Sequence, residues 1–183
     1  MSIQLEKKNM FLNSFCQMPE VGLANQFQDE KFFLLLRAHP VTQLFWIFNT
    51  VALIIIVFIS ELFVGQFINP LQLFYFRLFA FCFTFSYALI NFTSWFFNVG
   101  LISNFRVLDL DFIPLNYRNI TETKIFNVED ITSESKGPFA SLFHYGDIYV
   151  QTAGAKGNIE FHNVPEPNKA VKIINSLVKE NKD

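Results

Sequence analysis

Three histidines, His39, His144 and His162, are the first residues to weigh for metal or acid–base chemistry. A zinc site draws two ligands from one element at spacings such as HxxxH or HExxH, and no pair of these histidines has that spacing. Five acids, Asp109, Asp111, Glu129, Asp130 and Glu134, have the charge to attract a cation. Asp109 and Asp111 alternate with Leu108, Leu110 and Phe112, however, which accounts for them as the solvent face of a strand. Gly154–Asn158 holds two glycines and Lys156, the composition of a phosphate cradle. A cradle opens a helix, but here a strand pattern returns at Ile159–His162, so the segment reads as a hairpin turn. No P-loop, dinucleotide fingerprint or nucleophile elbow is present. Cys16 and Cys82 lie in different settings, with no His partner nearby, so neither a disulfide nor a metal site is expected. These residues predict no catalytic group, no metal, no cofactor and no enzyme.

Glu61 and Arg77 are ionisable residues inside long apolar runs. Charges there are functional candidates by default. One reading is an ion pair fastening two helices, or two side chains snorkelling to water. The other is a proton or ion path, which needs further polar groups, with Asn49, Thr50, Thr84, Ser86 and Asn91 as the candidates.

The elements that hold this pair are two spans, Val41–Val64 and Leu73–Phe97. Each has about 24 residues, or roughly 36 Å of helix, against a hydrocarbon core of about 30 Å. The link GQFINPLQ (65–72) is short and uncharged, which dictates an antiparallel hairpin with both chain ends on one side. Lys31, Arg37, Arg106 and Arg118 flank the hairpin, so the positive-inside rule puts both termini in the cytoplasm. Trp46 and Trp95 fall near the same rim, as an aromatic belt does. The 25 Phe are part of this apolar excess, and a formal net charge of −2 gives no basic surface for nucleic acid.

From about Gly100 the pattern changes to short alternating runs. Leu108–Phe112, Asn119–Val128, Ile148–Thr152 and Ile159–His162 read as strands of an antiparallel sheet. Pro167 opens a helix whose stripe is Ala170, Val171, Ile174, Leu177 and Val178; it either covers the sheet or lies on a membrane. Phe32–Leu36 is either a strand added to that sheet, within a possible strand 31–37, or a continuation of the first span, which Pro40 disfavours. Residues 1–29 read as irregular, with a short helix around Leu5–Phe15. The chain thus divides into a segment 1–40, a two-helix hairpin 41–97 and a soluble α+β domain 99–183.

The stretch Gly100–Val178 resembles the bacterial pleckstrin-homology-like, membrane-flanking domain family. The resemblance is carried by Ile102-Ser103-Asn104-Phe105-Arg106, where Ser103 replaces the usual Thr. It continues through Val128-Glu129-Asp130-Ile131, Tyr145–Gly154 and Asn163-Val164-Pro165-Glu166-Pro167. Glu30–Pro40, ending Arg37-Ala38-His39-Pro40, also looks like the family's approach to its first span. The resemblance implies a small, bent antiparallel sheet or barrel closed by one C-terminal helix, in a bacterial inner-membrane protein. It supplies no catalytic residues.

The leading expectation is a membrane-anchored interaction or scaffold module on the cytoplasmic face. It would self-associate as a homo-oligomer or bind an unknown protein partner, with the small residues Ala80, Ser86 and Ala88 allowing close helix contact. One rival is membrane-lipid sensing by the soluble domain, with Arg106 and Arg118 as headgroup contacts. It is disfavoured because no cluster of four to eight basic residues adjoins the spans. The other rival is an accessory subunit of a transporter or membrane enzyme.

Overall fold

The computed structural model describes residues 13–19, 26–114, 117–153 and 158–181. The chain forms two units. One comprises Met1–Val41 together with Phe96–Asp183, and the other is Thr42–Trp95. The soluble unit is therefore discontinuous, with segments from both sides of the apolar hairpin.

The soluble unit is α+β. Its larger sheet has five antiparallel strands in the order β1 (Phe15–Gln17), β2 (Phe32–Leu36), β3 (Val99–Ser103), β4 (Arg106–Ile113) and β5 (Tyr117–Lys124). A second sheet holds β6 (Val128–Glu134), β7 (Tyr145–Thr152) and β8 (Ile159–Pro165). β2 is apolar at every position because it is an inner strand, paired to β1 on one side and β3 on the other. Leu34, Leu36, Ile102 and Val107 point into a core shared with Val128, Ile148, Val150, Ile159 and Phe161 of the second sheet. Phe32, Leu35, Leu101 and Leu108 form a second cluster with Cys16.

Several expectations change in detail. The run Asn119–Val128 is not one strand: β5 ends at Lys124, and a 3-10 turn over Ile125–Asn127 buries Ile125 before β6 begins. Phe15 belongs to β1 rather than to a helix, and Asn13 and Ser14 before it are not helical; residues 5–12 of the helix expected there lie outside the described residues, as does most of the turn at Gly154–Asn158. The C-terminal helix, α4 (Pro167–Glu180), buries Ala170, Ile174, Leu177 and Val178 against the core, so its stripe covers the sheet. A short helix over Pro138–Phe143, α3, was not foreseen. Gly100 on β3 faces the Phe161 ring at a distance that leaves no room for a Cβ.

The second unit contains α1 (Leu44–Val64) and α2 (Pro70–Phe97). Both helices are long and apolar enough to cross a membrane. Most of their large apolar side chains are exposed, apart from a half-buried stripe through Trp46, Leu53 and Val57 on α1 and Leu73, Phe76 and Ala80 on α2; Thr84 is the one buried residue of the two helices. α2 starts at Pro70 rather than Leu73, with proline in its favoured place at a helix start.

If the soluble unit needs both of its segments, residues 99–183 alone lack β1 and β2 and expose Ile102 and Leu101 on the bare edge of β3. That fragment is expected to be unfolded by circular dichroism and amide dispersion. Residues 13–41 joined to 96–183 by a flexible linker are expected to give a cooperative unfolding transition.

Candidate functional site

β3 and β4 are joined by the two residues Asn104 and Phe105, and this turn organises one end of the large sheet. Ser103 Oγ accepts the N–H of Phe105 at 3.2 Å and of Arg106 at 3.0 Å, which closes the turn. Its own proton points to Glu30 Oε1 at 2.8 Å. The Arg106 guanidinium grips the same carboxylate twice, Nε to Oε1 at 2.9 Å and Nη2 to Oε2 at 3.0 Å. The Phe27 N–H completes the set on Oε2 at 3.1 Å. The Glu30 side chain is 0% exposed and accepts four hydrogen bonds. Asn104 adds a polar ladder beside it: its Oδ1 accepts Lys31 N–H at 2.8 Å, and its Nδ2 donates to Asp29 O at 3.2 Å.

Burial pushes the Glu30 carboxyl up, but the hydrogen bonds from Arg106, Ser103 and the Phe27 N–H outweigh it, so the group ionises below the ordinary carboxylate range. Its contribution to stability is therefore complete at neutral pH and is lost as pH falls through that depressed value. Bonding to Glu30 raises Arg106 against the opposing effect of burial. Arg106 also donates Nη1 to Glu122 at 2.9 Å and lies over the Phe27 ring, 4.8 Å from its centroid. This differs from the headgroup contact expected of Arg106, because its guanidinium is engaged inside the fold by two carboxylates and a ring. Arg118 lies on β5 opposite Phe112; its side chain is outside the described residues.

A cleft of about 970 Å³ opens beside this network. Arg106 and Glu122 form part of its wall, and Phe27, Phe105, Lys124 and Phe126 line its mouth. Phe27, Phe105 and Phe126 are all exposed large apolar side chains. Phe27 and Phe105 tilt together with centroids 6.1 Å apart, and Lys124 Nζ sits 5.4 Å from the Phe126 ring centroid. The cleft lies at the Ser103–Arg106 end of the sheet, opposite to the end where β2 leads to Pro40 and β3 follows Phe97.

The other sequence candidates fall elsewhere. Glu61 and Arg77 meet in a two-point ion pair, Nε to Oε1 at 2.8 Å and Nη2 to Oε2 at 3.0 Å, which bridges α1 and α2 near their link. Two of the polar candidates along the helices turn back on their own backbones: Thr50 Oγ1 donates to Trp46 O and Asn91 Nδ2 to Tyr87 O, both at 2.8 Å. Among the described residues no group of three potential metal ligands is present. Glu134 pairs with Lys136 at 2.8 Å instead. His162 is held loosely between Asp147 and Glu160, and His39 stacks on Tyr145.

Asp109 departs from its expected solvent-facing place. It shares a face of β4 with fully buried Val107 and sits opposite Gly100, so it is half-buried. Burial, then the charge of Asp111, pushes its carboxyl up to about 7, partly offset by His162. Glu30 escaped sequence reasoning altogether. The available signal was an acidic pair, Asp29-Glu30, separated from the all-apolar run Phe32–Leu36 by Lys31 alone.

No protein-family model and no curated protein matches the chain. Among solved structures, it is similar to the crystal structure of a DUF1696 family protein with a pleckstrin-homology domain from Shewanella loihica PV-4, at 12% identity and a TM-score of 0.32, over 45% of this chain and 68% of that one.

Two outcomes test the site. Arg106→Met leaves the buried Glu30 carboxylate without its counter-charge and is expected to cost about 3–5 kcal/mol, whereas Glu30→Ala leaves Arg106 its bond to Glu122 and is expected to cost less. The double variant Glu30→Leu/Arg106→Met is expected to cost less than the sum, by urea unfolding of the detergent-solubilised protein. Asp109 binds a proton in the folded state that the unfolded chain has already released, so stability falls as pH rises from about 4 to about 7, by up to ~1.4 kcal/mol per unit. Asp109→Asn should flatten that slope in the same assay.

Proposed function

We propose that the chain is a membrane-anchored, PH-like interaction module in which two transmembrane helices hold a soluble domain at the cytoplasmic face of a bacterial inner membrane, and that the cleft beside Arg106 receives a protein partner. The observation that carries this reading is the set of three exposed rings, Phe27, Phe105 and Phe126, that line that cleft at the Ser103–Arg106 end of the sheet. Aromatic side chains on a rigid frame are what protein interfaces use as anchors. The frame here is rigid because Arg106 is fixed by Glu30 and Glu122. The PH-like reading is supported by a five-stranded and a three-stranded antiparallel sheet closed by one C-terminal helix. The membrane reading is supported by the exposed apolar surface of α1 and α2, which water would leave uncovered.

Headgroup-specific lipid sensing has less support, because the Arg106 guanidinium is already matched by carboxylates. An ion path through the helices has less support as well, because Glu61 and Arg77 neutralise each other. The partner is either a second copy of the chain or another protein, and the two are told apart by mass.

A photo-crosslinking residue at Lys124, in native membranes, is expected to capture a protein species, of doubled mass for self-association. Phe105→Ala and Phe126→Ala are expected to weaken capture, since losing an anchor costs about 2 kcal/mol or more, roughly thirtyfold in affinity. Capture that survives both substitutions would sink the proposal.

A further inference from the structure

α3 presents its apolar side chains outward. Of its six residues Ala140 is the buried one, while Phe139 and Leu142 are 67% and 68% exposed and Phe143 is exposed beside them. The backbone holds this presentation firmly. Gly137 at φ +90° turns the chain into Pro138, and His144 ends the helix in the left-handed region at φ 55°. The His144 carbonyl then accepts the Glu166 N–H at 2.9 Å. Contiguous exposed apolar side chains of this size mark a surface that something covers.

The neighbours of α3 indicate what covers it. Two residues after Phe143, the Tyr145 ring stacks on His39 with centroids 5.7 Å apart. His39 donates its N–H to Asn163 O at 2.7 Å and accepts the Val41 N–H on Nδ1 at 3.2 Å. It directly precedes Pro40, where the first membrane-length segment begins. Trp46 follows His39 by seven positions, a reach of at most about 25 Å even when fully stretched. The chain itself therefore bounds how far the His39–Tyr145 stack beside α3 can stand from that segment. The second crossing between the units has the same character: the Phe97 ring meets Phe112 with centroids 5.3 Å apart, and Ile113 is exposed there. Beside α3, Lys136 and Glu134 neutralise each other, so apolar partition rather than headgroup charge governs the contact.

We propose that Phe139, Leu142 and Phe143 form an interfacial wedge that enters the headgroup–acyl boundary of the bilayer spanned by α1 and α2, and so sets how the soluble unit stands on the membrane. This rests on the reading that the two helices cross the bilayer.

The test uses the full chain in phosphatidylcholine vesicles containing spin-labelled lipid, with an environment-sensitive fluorophore on one cysteine at a time. Cys82 in α2 is labelled in the native chain, and Leu142→Cys and Ser176→Cys are labelled in a Cys82→Ser background, since Cys16 is buried. The label at Leu142 is expected to shift to the blue and lose most of its emission to shallow spin labels. The label at Ser176, on the exposed face of α4, should keep its emission. Replacing part of the phosphatidylcholine with phosphatidylglycerol should not change the Leu142 result. An unquenched Leu142 beside a quenched Cys82 overturns the wedge and leaves the spanning reading standing. An unquenched Cys82 overturns both. Quenching at Leu142 that requires the anionic lipid overturns the apolar mechanism.

Discussion

The soluble unit depends on one buried ion pair, Glu30 with Arg106, whose members stand 76 positions apart with both apolar helices between them. A buried pair is a poor source of net stability, because desolvating two charges offsets much of their attraction. Its role here is to specify. β2 reads Phe-Phe-Leu-Leu-Leu, apolar on both faces, so a slip of one residue against β3 changes little in hydrophobic burial. The polar clamp at one end removes that freedom. Ser103, Asn104 and Arg106 each bond to residues 27–31, and the register Phe32↔Ser103 follows. The motif Ser103-Asn104-Phe105-Arg106 is thus a fastening for a distant segment as well as a turn.

The sheet also gives the unit two dissimilar ends. At one end β2 runs to Pro40 and β3 follows Phe97, and the exposed residues there include Ile113, Phe139 and Leu142 as well as Asp111, with the Glu134–Lys136 ion pair beside α3. At the other lies the cleft, where apolar rings stand among Arg106, Glu122 and Lys124. An apolar end suits contact with hydrocarbon, and a mixed aromatic and charged end suits contact with protein. Both characters come from loops and strand ends carried on one rigid frame.

Much of this was legible in the residues. Two long apolar runs, the alternation of β4, β7 and β8, and the stripe of α4 are periodic signals that survive without tertiary context. The Glu61–Arg77 pairing was legible too, because a short link puts positions flanking it at equal depth. What escaped depended on long-range contact. Asp109 looked solvent-facing because alternation separates two faces without saying that both are covered, as fully buried Val107 and nearly buried Leu108 show. Glu30 gave no local sign of its role, since nothing near it in the sequence ties it to Arg106. α3 was hidden because six residues are too few for a helical period, and its one cue was Gly137-Pro138.

The discontinuity of the soluble unit has a consequence for its biogenesis. When β2 leaves the ribosome its inner partner β3 does not yet exist, and synthesis of the intervening hairpin takes several seconds at roughly 5–20 residues per second. Until then Leu34–Leu36 and the lone carboxylate of Glu30 wait without partners. If α1 and α2 cross a membrane as proposed, the β2–β3 ladder closes only once both ends of the hairpin stand on one side of the bilayer, and completion of the sheet is then a check on correct insertion. A chain whose second helix failed to return would leave Glu30 and Arg106 on opposite sides of the membrane, with an unfinished sheet open to proteolysis.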